Sequence, residues 1–137
     1  MPSRVAAAIA LILAGVLSST CNKGPTDPSD NVVETFTGTV TPGVGNFGQH
    51  PFDSSNNGEL FVTLVSLTPP LPQSKFASLW LGENSGGTCV WNGIRNERAV
   101  TGSVISTSIG KGAACVGLFD HGDFTVDEAY EIRVSHP

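Results

Sequence analysis

Basic residues are scarce in this chain. Seven Lys and Arg stand against twelve Asp and Glu in 137 residues, and no two of the seven are adjacent. No basic run or patch is therefore available to track a phosphate backbone, and nucleic acid is excluded as a partner. Charge of either sign is thin, at 14% of residues, and no stretch of helical period is long enough to build an amphipathic helix. Beyond residue 17 no apolar run approaches the ~20 residues that a membrane-spanning helix needs. The three cysteines and three histidines include no C-x-x-C pair and no closely spaced Cys/His group, which argues against a structural zinc site. Neither G-x-S-x-G nor H-E-x-x-H occurs, so the two commonest local signatures of hydrolases are missing and no catalytic residue is assigned.

What is present begins with a leader. One positive charge lies in residues 1–4, an unbroken run of Val, Ala, Ile, Leu and Gly fills 5–17, and small Ser18, Ser19 and Thr20 follow. That order is the one of a secretory signal peptide over 1–20. Cys21 would then stand at the mature N-terminus, and the segment resembles a bacterial lipoprotein leader with Cys21 as the lipidated residue. It departs from that pattern in two places: Leu17 lies four residues before the cysteine, not three, and Thr20 stands where Gly, Ala or Ser is usual. Ordinary cleavage nearby, leaving Cys21 in a tail, is the other reading. Acylation would hold the protein on a membrane without spanning it. The expected address is outside the cytoplasm, either on the bacterial cell envelope through a lipid anchor or secreted.

An oxidising compartment lets Cys89 and Cys115 pair. Residues 21–31, Cys-Asn-Lys-Gly-Pro-Thr-Asp-Pro-Ser-Asp-Asn, offer nothing beyond the cysteine for burial and read as a flexible tether. One domain, 32–137, remains. It is built of strand-length runs with period-two patterning at 33–40, 49–53, 59–67, 76–82, 88–91, 99–107, 113–120 and 129–135. They are separated by turn signals such as Pro42-Gly43, Asn56-Asn57-Gly58, Ser85-Gly86-Gly87 and Gly110-Lys111-Gly112. About eight short strands of this kind make an all-β sandwich or barrel.

The order Thr37-Gly38-Thr39-Val40, His50-Pro51-Phe52, Gly58-Glu59-Leu60-Phe61-Val62-Thr63-Leu64, Gly112-Ala113-Ala114-Cys115-Val116-Gly117-Leu118-Phe119-Asp120 and Tyr130-Glu131-Ile132-Arg133-Val134 resembles the bacterial pre-peptidase C-terminal domain family. Ala113-Ala114 stand where that family has Thr or Ser and Tyr. The resemblance implies a jelly-roll-like antiparallel β-sandwich. It also implies a non-catalytic module, of a kind usually appended to secreted hydrolases and here standing without one. Fold analogy names no partner.

Three groups of side chains stand out. Gly43-Val44-Gly45-Asn46-Phe47-Gly48 matches G-x-G-x-x-G, but Pro51 prevents a helix from following, so the stretch reads as a glycine-rich hairpin rather than a nucleotide site. Asp120, Asp123, Asp127 and Glu128 offer hard oxygens that calcium takes, against the plainer reading of a solvated acidic turn. If Leu79 and Leu81 point inward, Trp80 points out, and the same alternation turns out Phe61, Trp91 and Phe119. Were their strands neighbours, these four rings would form an apolar platform beside the disulfide, suited to a glycan or to a cell-surface or secreted protein. A surface lipoprotein domain with no specific ligand is the alternative. A small secreted hydrolase, with Ser or Asp in reach of His50 or His121, is another; His136, one residue from the end, reads as a solvated tail residue.

Overall fold

A computed structural model describes residues 26–91 and 93–137. The signal peptide expected over 1–20 and the lipidation expected at Cys21 lie outside the described residues. Among the described residues, a single turn of 3₁₀ helix, Pro28–Asp30, precedes nine strands: β1 (Val32–Val40), β2 (Phe47–Ser54), β3 (Gly58–Thr68), β4 (Ala77–Ser85), β5 (Thr88–Val90), β6 (Arg95–Ala99), β7 (Val104–Ile109), β8 (Gly112–Phe119) and β9 (Glu128–His136). Every named strand pairing is antiparallel. One sheet has the order β1-β9-β3-β7. The other has β2-β8-β4-β5, with β6 also pairing β4.

β5 and β6 are two halves of one interrupted strand, since β5 pairs Glu83–Ser85 of β4 and β6 pairs its Ala77–Trp80 end. Counted as one, they make the topology a long antiparallel hairpin folded over on itself: β1 with β9, β2 with β8, β3 with β7, and β4 with the β5/β6 pair. That is the jelly roll. The alternation read from the sequence fills its interior. Leu60, Val62, Leu64, Tyr130, Ile132 and Val134 face inward from one sheet, and Leu79, Leu81, Val116, Leu118 and Phe52 meet them from the other.

One strand expectation and one tether expectation are corrected. The run 99–107 is not one strand, because residues 100–103 form a turn in which Ser103 N–H donates to the Val100 carbonyl and the Ser103 hydroxyl accepts from Val100 N–H. Gly102 adopts φ +90°, a conformation only glycine takes readily, and the turn carries the chain from one sheet to the other. The tether expected over 21–31 is also shorter than its composition implies. Thr26 bridges Gly58 with its N–H on the Asn57 carbonyl, and the Asn31 amide donates to the Glu59 carbonyl and the Ser135 hydroxyl. Polar contacts hold 26–31 where no apolar burial does.

The last residue lies at the same end. Pro137 O accepts from Ser55 N–H and from the Ser54 hydroxyl. A Cβ added to Gly58 would meet both Thr26 and Pro137.

Candidate functional site

The Cys89–Cys115 disulfide forms, with Cα atoms 5.8 Å apart. Its place follows from the register. Cys115 of β8 sits opposite Gly82 of β4, and Cys89 of β5 lies on the far side of β4, opposite Asn84. The bridge therefore crosses over β4 on the outer face of the five-stranded sheet, where Gly82 presents no side chain.

The same face gathers aromatic rings. Trp91 follows β5 directly and lies over two glycines: a Cβ on Gly82 would be 2.9 Å from its Cε3, and one on Gly117 would be 2.7 Å from its Cη2. Glycine at both positions makes the slot that receives the indole. Trp91 meets Phe119 edge to face at 5.1 Å and Trp80 at 6.5 Å. Trp80 and Phe119 lie 5.0 Å apart. The Trp80 Nε1–H donates to the Ser78 hydroxyl at 2.6 Å, so the ring is oriented and its donor is used.

Of the four rings expected to converge, three do. Phe61 does not, because its strand, β3, belongs to the other sheet, where Phe61 sits between Ser106 and Ser135. Alternation assigns a residue to a face of its own strand but does not say in which sheet that strand lies. Phe47 takes the fourth place. It pairs with Phe119, stacks on it at 4.9 Å and meets Trp91 at 6.3 Å. Its signal was the alternation Phe47, Gln49, Pro51 against Gly48, His50, Phe52, which extends β2 two residues upstream of the expected strand. At 48% exposed, with Val44 three residues earlier at 82%, Phe47 is the most open ring of the cluster.

The charged rim lies on β6. Arg95 pairs with Trp80 and holds its guanidinium 4.8 Å from the ring centroid, a cation–π contact. Its Nε lies 2.7 Å from Glu97 Oε1, an ion pair. On the opposite side, exposed Gln49 of β2 pairs with Gly117.

The acidic loop is organised differently from the calcium reading. Asp120 is 1% exposed. Its Oδ1 accepts from the N–H groups of Gly122, Asp123 and Phe124, and its Oδ2 from Gly43 N–H. Burial alone would push this carboxyl up, but the four backbone donors outweigh it and hold its pKa below the ordinary value. Asp123 accepts from Phe76 N–H at 2.9 Å and from Lys75 Nζ at 3.0 Å, which lowers its pKa as well. Asp127 is exposed. Glu128 faces inward at 1% exposed, with Oε1 unpartnered, and burial raises its pKa. The four residues thus point to separate tasks, and among the described residues no three His, Cys, Asp or Glu side chains come together as a cation would need. Asp120 is a clamp between the β1–β2 and β8–β9 turns.

Two of the three histidines are equally committed, while His121 is exposed. His50 Nε2 lies 2.8 Å from the Tyr130 hydroxyl, its ring stacks on Phe36 at 5.0 Å, and burial lowers its pKa. His136 is not a solvated tail residue: it is 3% exposed, packs on Phe52 and places Nε2 2.7 Å from Glu34 Oε1. Among the described residues no serine hydroxyl hydrogen-bonds a histidine. A cleft of about 480 Å³ opens where Leu81 and Ile94 face Ile109 and Ala114, and it carries no histidine on its walls.

No protein-family model and no curated protein matches this chain. Among solved structures, the chain is similar to the Yersinia pseudotuberculosis-derived mitogen, with a TM-score of 0.54 and 14% identity over 78% of this chain and 87% of that one. At that identity the likeness is one of fold, and the fold is an all-β, two-sheet antiparallel sandwich with one disulfide.

Proposed function

We propose that this protein is a non-catalytic, exported binding module that takes a glycan on the outer face of its five-stranded sheet. The observation that carries the reading is the convergence of Phe47, Trp80, Trp91 and Phe119, at ring separations of 4.9–6.5 Å, on a face that contributes nothing to the core. Rings of this kind, set among glycines and flanked by amide, guanidinium and carboxylate groups, match a ligand with one apolar face and a polar perimeter, which describes a sugar ring. The resemblance to the pre-peptidase C-terminal domain read from the sequence implies a non-catalytic module and agrees with it. Export by the 1–20 leader, with a lipid anchor at Cys21, would place this face outside the cell.

A second reading has its own support. The depth to which Trp91 sits in the Gly82/Gly117 slot fits an outer mini-core that shields the disulfide in a surface domain without a ligand. Retention of the full-length chain on insoluble polysaccharides and cell-wall material separates the two. The binding module is retained, with or without a chelator, and Phe47→Ala and Trp80→Ala release it while circular dichroism keeps its β signature. Retention that ignores both substitutions, or none on any material, rejects the glycan reading.

A further inference from the structure

We infer that the glycan is uncharged, and that Arg95 and Glu97 together read a pair of neighbouring hydroxyls on it. This inference rests on the aromatic face being the binding face.

Its geometry is a row across four strands. Gln49 of β2 pairs with Gly117 of β8, Gly117 with Trp80 of β4, and Trp80 with Arg95 of β6. At a strand spacing of about 4.8 Å, the three steps span roughly 14 Å, longer than a single hexose ring. Aromatic surface occupies the middle of the row and polar groups its two ends. With the Trp80 N–H held by Ser78, the indole has no free donor, and recognition of hydroxyls falls to the ends.

At one end the ion pair is monodentate. Only Nε of Arg95 meets Glu97, through Oε1, and both side chains are about half exposed, at 49% and 52%. Among the described residues neither Nη group has a hydrogen-bond partner and neither does Glu97 Oε2. Donors and an acceptor therefore lie side by side, at the edge of the ring that Arg95 covers. Two adjacent hydroxyls satisfy both at once, one accepting from Nη and the other donating to Oε2. At the far end, the Gln49 amide can likewise donate and accept.

Charge decides between neutral and acidic polymers. Arg95 and Glu97 cancel, so a uronate or sulfate arriving here meets a guanidinium already paired and a carboxylate beside it. The protein as a whole carries a formal charge of −5. An acidic glycan gains no attraction at this site and is repelled at long range. A neutral one loses nothing.

The test is affinity electrophoresis of the full-length chain in gels containing dextran, soluble starch, galactomannan or hydroxyethyl cellulose, with polygalacturonate as the acidic probe, at low and high salt. A neutral polymer should retard the protein independently of salt, and polygalacturonate should not. Arg95→Gln and Glu97→Gln, both on exposed side chains, should each weaken retention by roughly tenfold. Glu97→Gln, which leaves Arg95 unopposed, should also gain salt-sensitive retention by polygalacturonate. Salt-sensitive retention of the parent chain by polygalacturonate overturns the inference. So does retention by a neutral polymer that Trp80→Ala abolishes and both β6 variants leave intact, an outcome that preserves the aromatic reading. Retention by none of the polymers overturns both.

Discussion

Gly117→Ala adds one methyl group under the Trp91 indole, and the structure fixes what that methyl meets. The new Cβ would stand 2.7 Å from Cη2 and 3.2 Å from Cζ2 of Trp91, and 3.0 Å from the Gly48 carbonyl oxygen. Carbon atoms rest at about 3.5–4.0 Å, so the indole must lift by roughly 1 Å or β8 must yield. Lifting it loosens the contacts of Trp91 with Phe119 and Trp80, each worth about 0.5–1.5 kcal/mol. Overpacking of this kind costs about 1–3 kcal/mol. Gly117 carries no left-handed backbone, so the effect is steric and not conformational. Urea denaturation should show a lower midpoint at unchanged slope, with the melting temperature falling by about 4 °C or more per kcal/mol. Tryptophan emission should shift as Trp91 moves toward water. The decisive comparison is the same substitution in a Trp91→Ala background, where the clash partner is gone and the cost should largely vanish. An equal loss in both backgrounds would assign the clash to the Gly48 carbonyl and refute the slot; no loss in either would refute it outright.

Other consequences can be checked alongside. The disulfide joins residues 26 apart, so its removal by Cys89→Ser/Cys115→Ser should cost about 3.5 kcal/mol by the chain-entropy relation, measured as a lower urea midpoint; a loss under about 1 kcal/mol contradicts that. Asp120→Ala orphans four backbone N–H groups and should cost at least about 2 kcal/mol near neutral pH. Because the folded-state pKa of Asp120 is depressed, its contribution is present above the ordinary carboxylate pKa and lost as pH falls through the folded value. The gap between parent and variant in urea titrations should therefore shrink on acidification, and a constant gap counts against the clamp. Glu128 has the opposite sign: its folded pKa is raised, so its contribution is present in acid and lost as pH climbs from about 4 through the folded value. Glu128→Gln should stabilise the protein at neutral pH by about 1 kcal/mol and not in acid; equal stability at neutral pH refutes that assignment.

Most of the fold was legible because its signals are local. Leu60, Val62 and Leu64 alternate as a strand with one buried face must, and Ser85-Gly86-Gly87 or Gly110-Lys111-Gly112 mark turns by the freedom of glycine. The disulfide was legible by elimination once Cys21 was set apart. Sheet membership was not, because it depends on pairing between distant residues. Phe61 and Trp80 show the same outward alternation, yet β3 and β4 lie in different sheets. The break between β5 and β6 leaves no mark in periodicity. The tasks of Asp120 and Asp123 were hidden for another reason: a carboxylate that caps its own loop and one that binds calcium present the same letters, and only the direction of Gly43 and Phe76 N–H separates them.

The docking of Thr26 and Pro137 against Gly58 makes the domain nearly circular. Both described ends leave from one pole of the sandwich, the pole where Ser54 meets Gly112, while Phe47 and Phe119 pair at the other. Seven residue steps along β2, from Phe47 to Ser54, separate the two poles by about 24 Å. A fusion partner or a surface attached beyond either end thus stands at the pole away from Phe47 and Phe119. A short linker from 137 to 26 would close the ring, and new ends opened in the turn at 100–103 would give a permutant with the same nine strands.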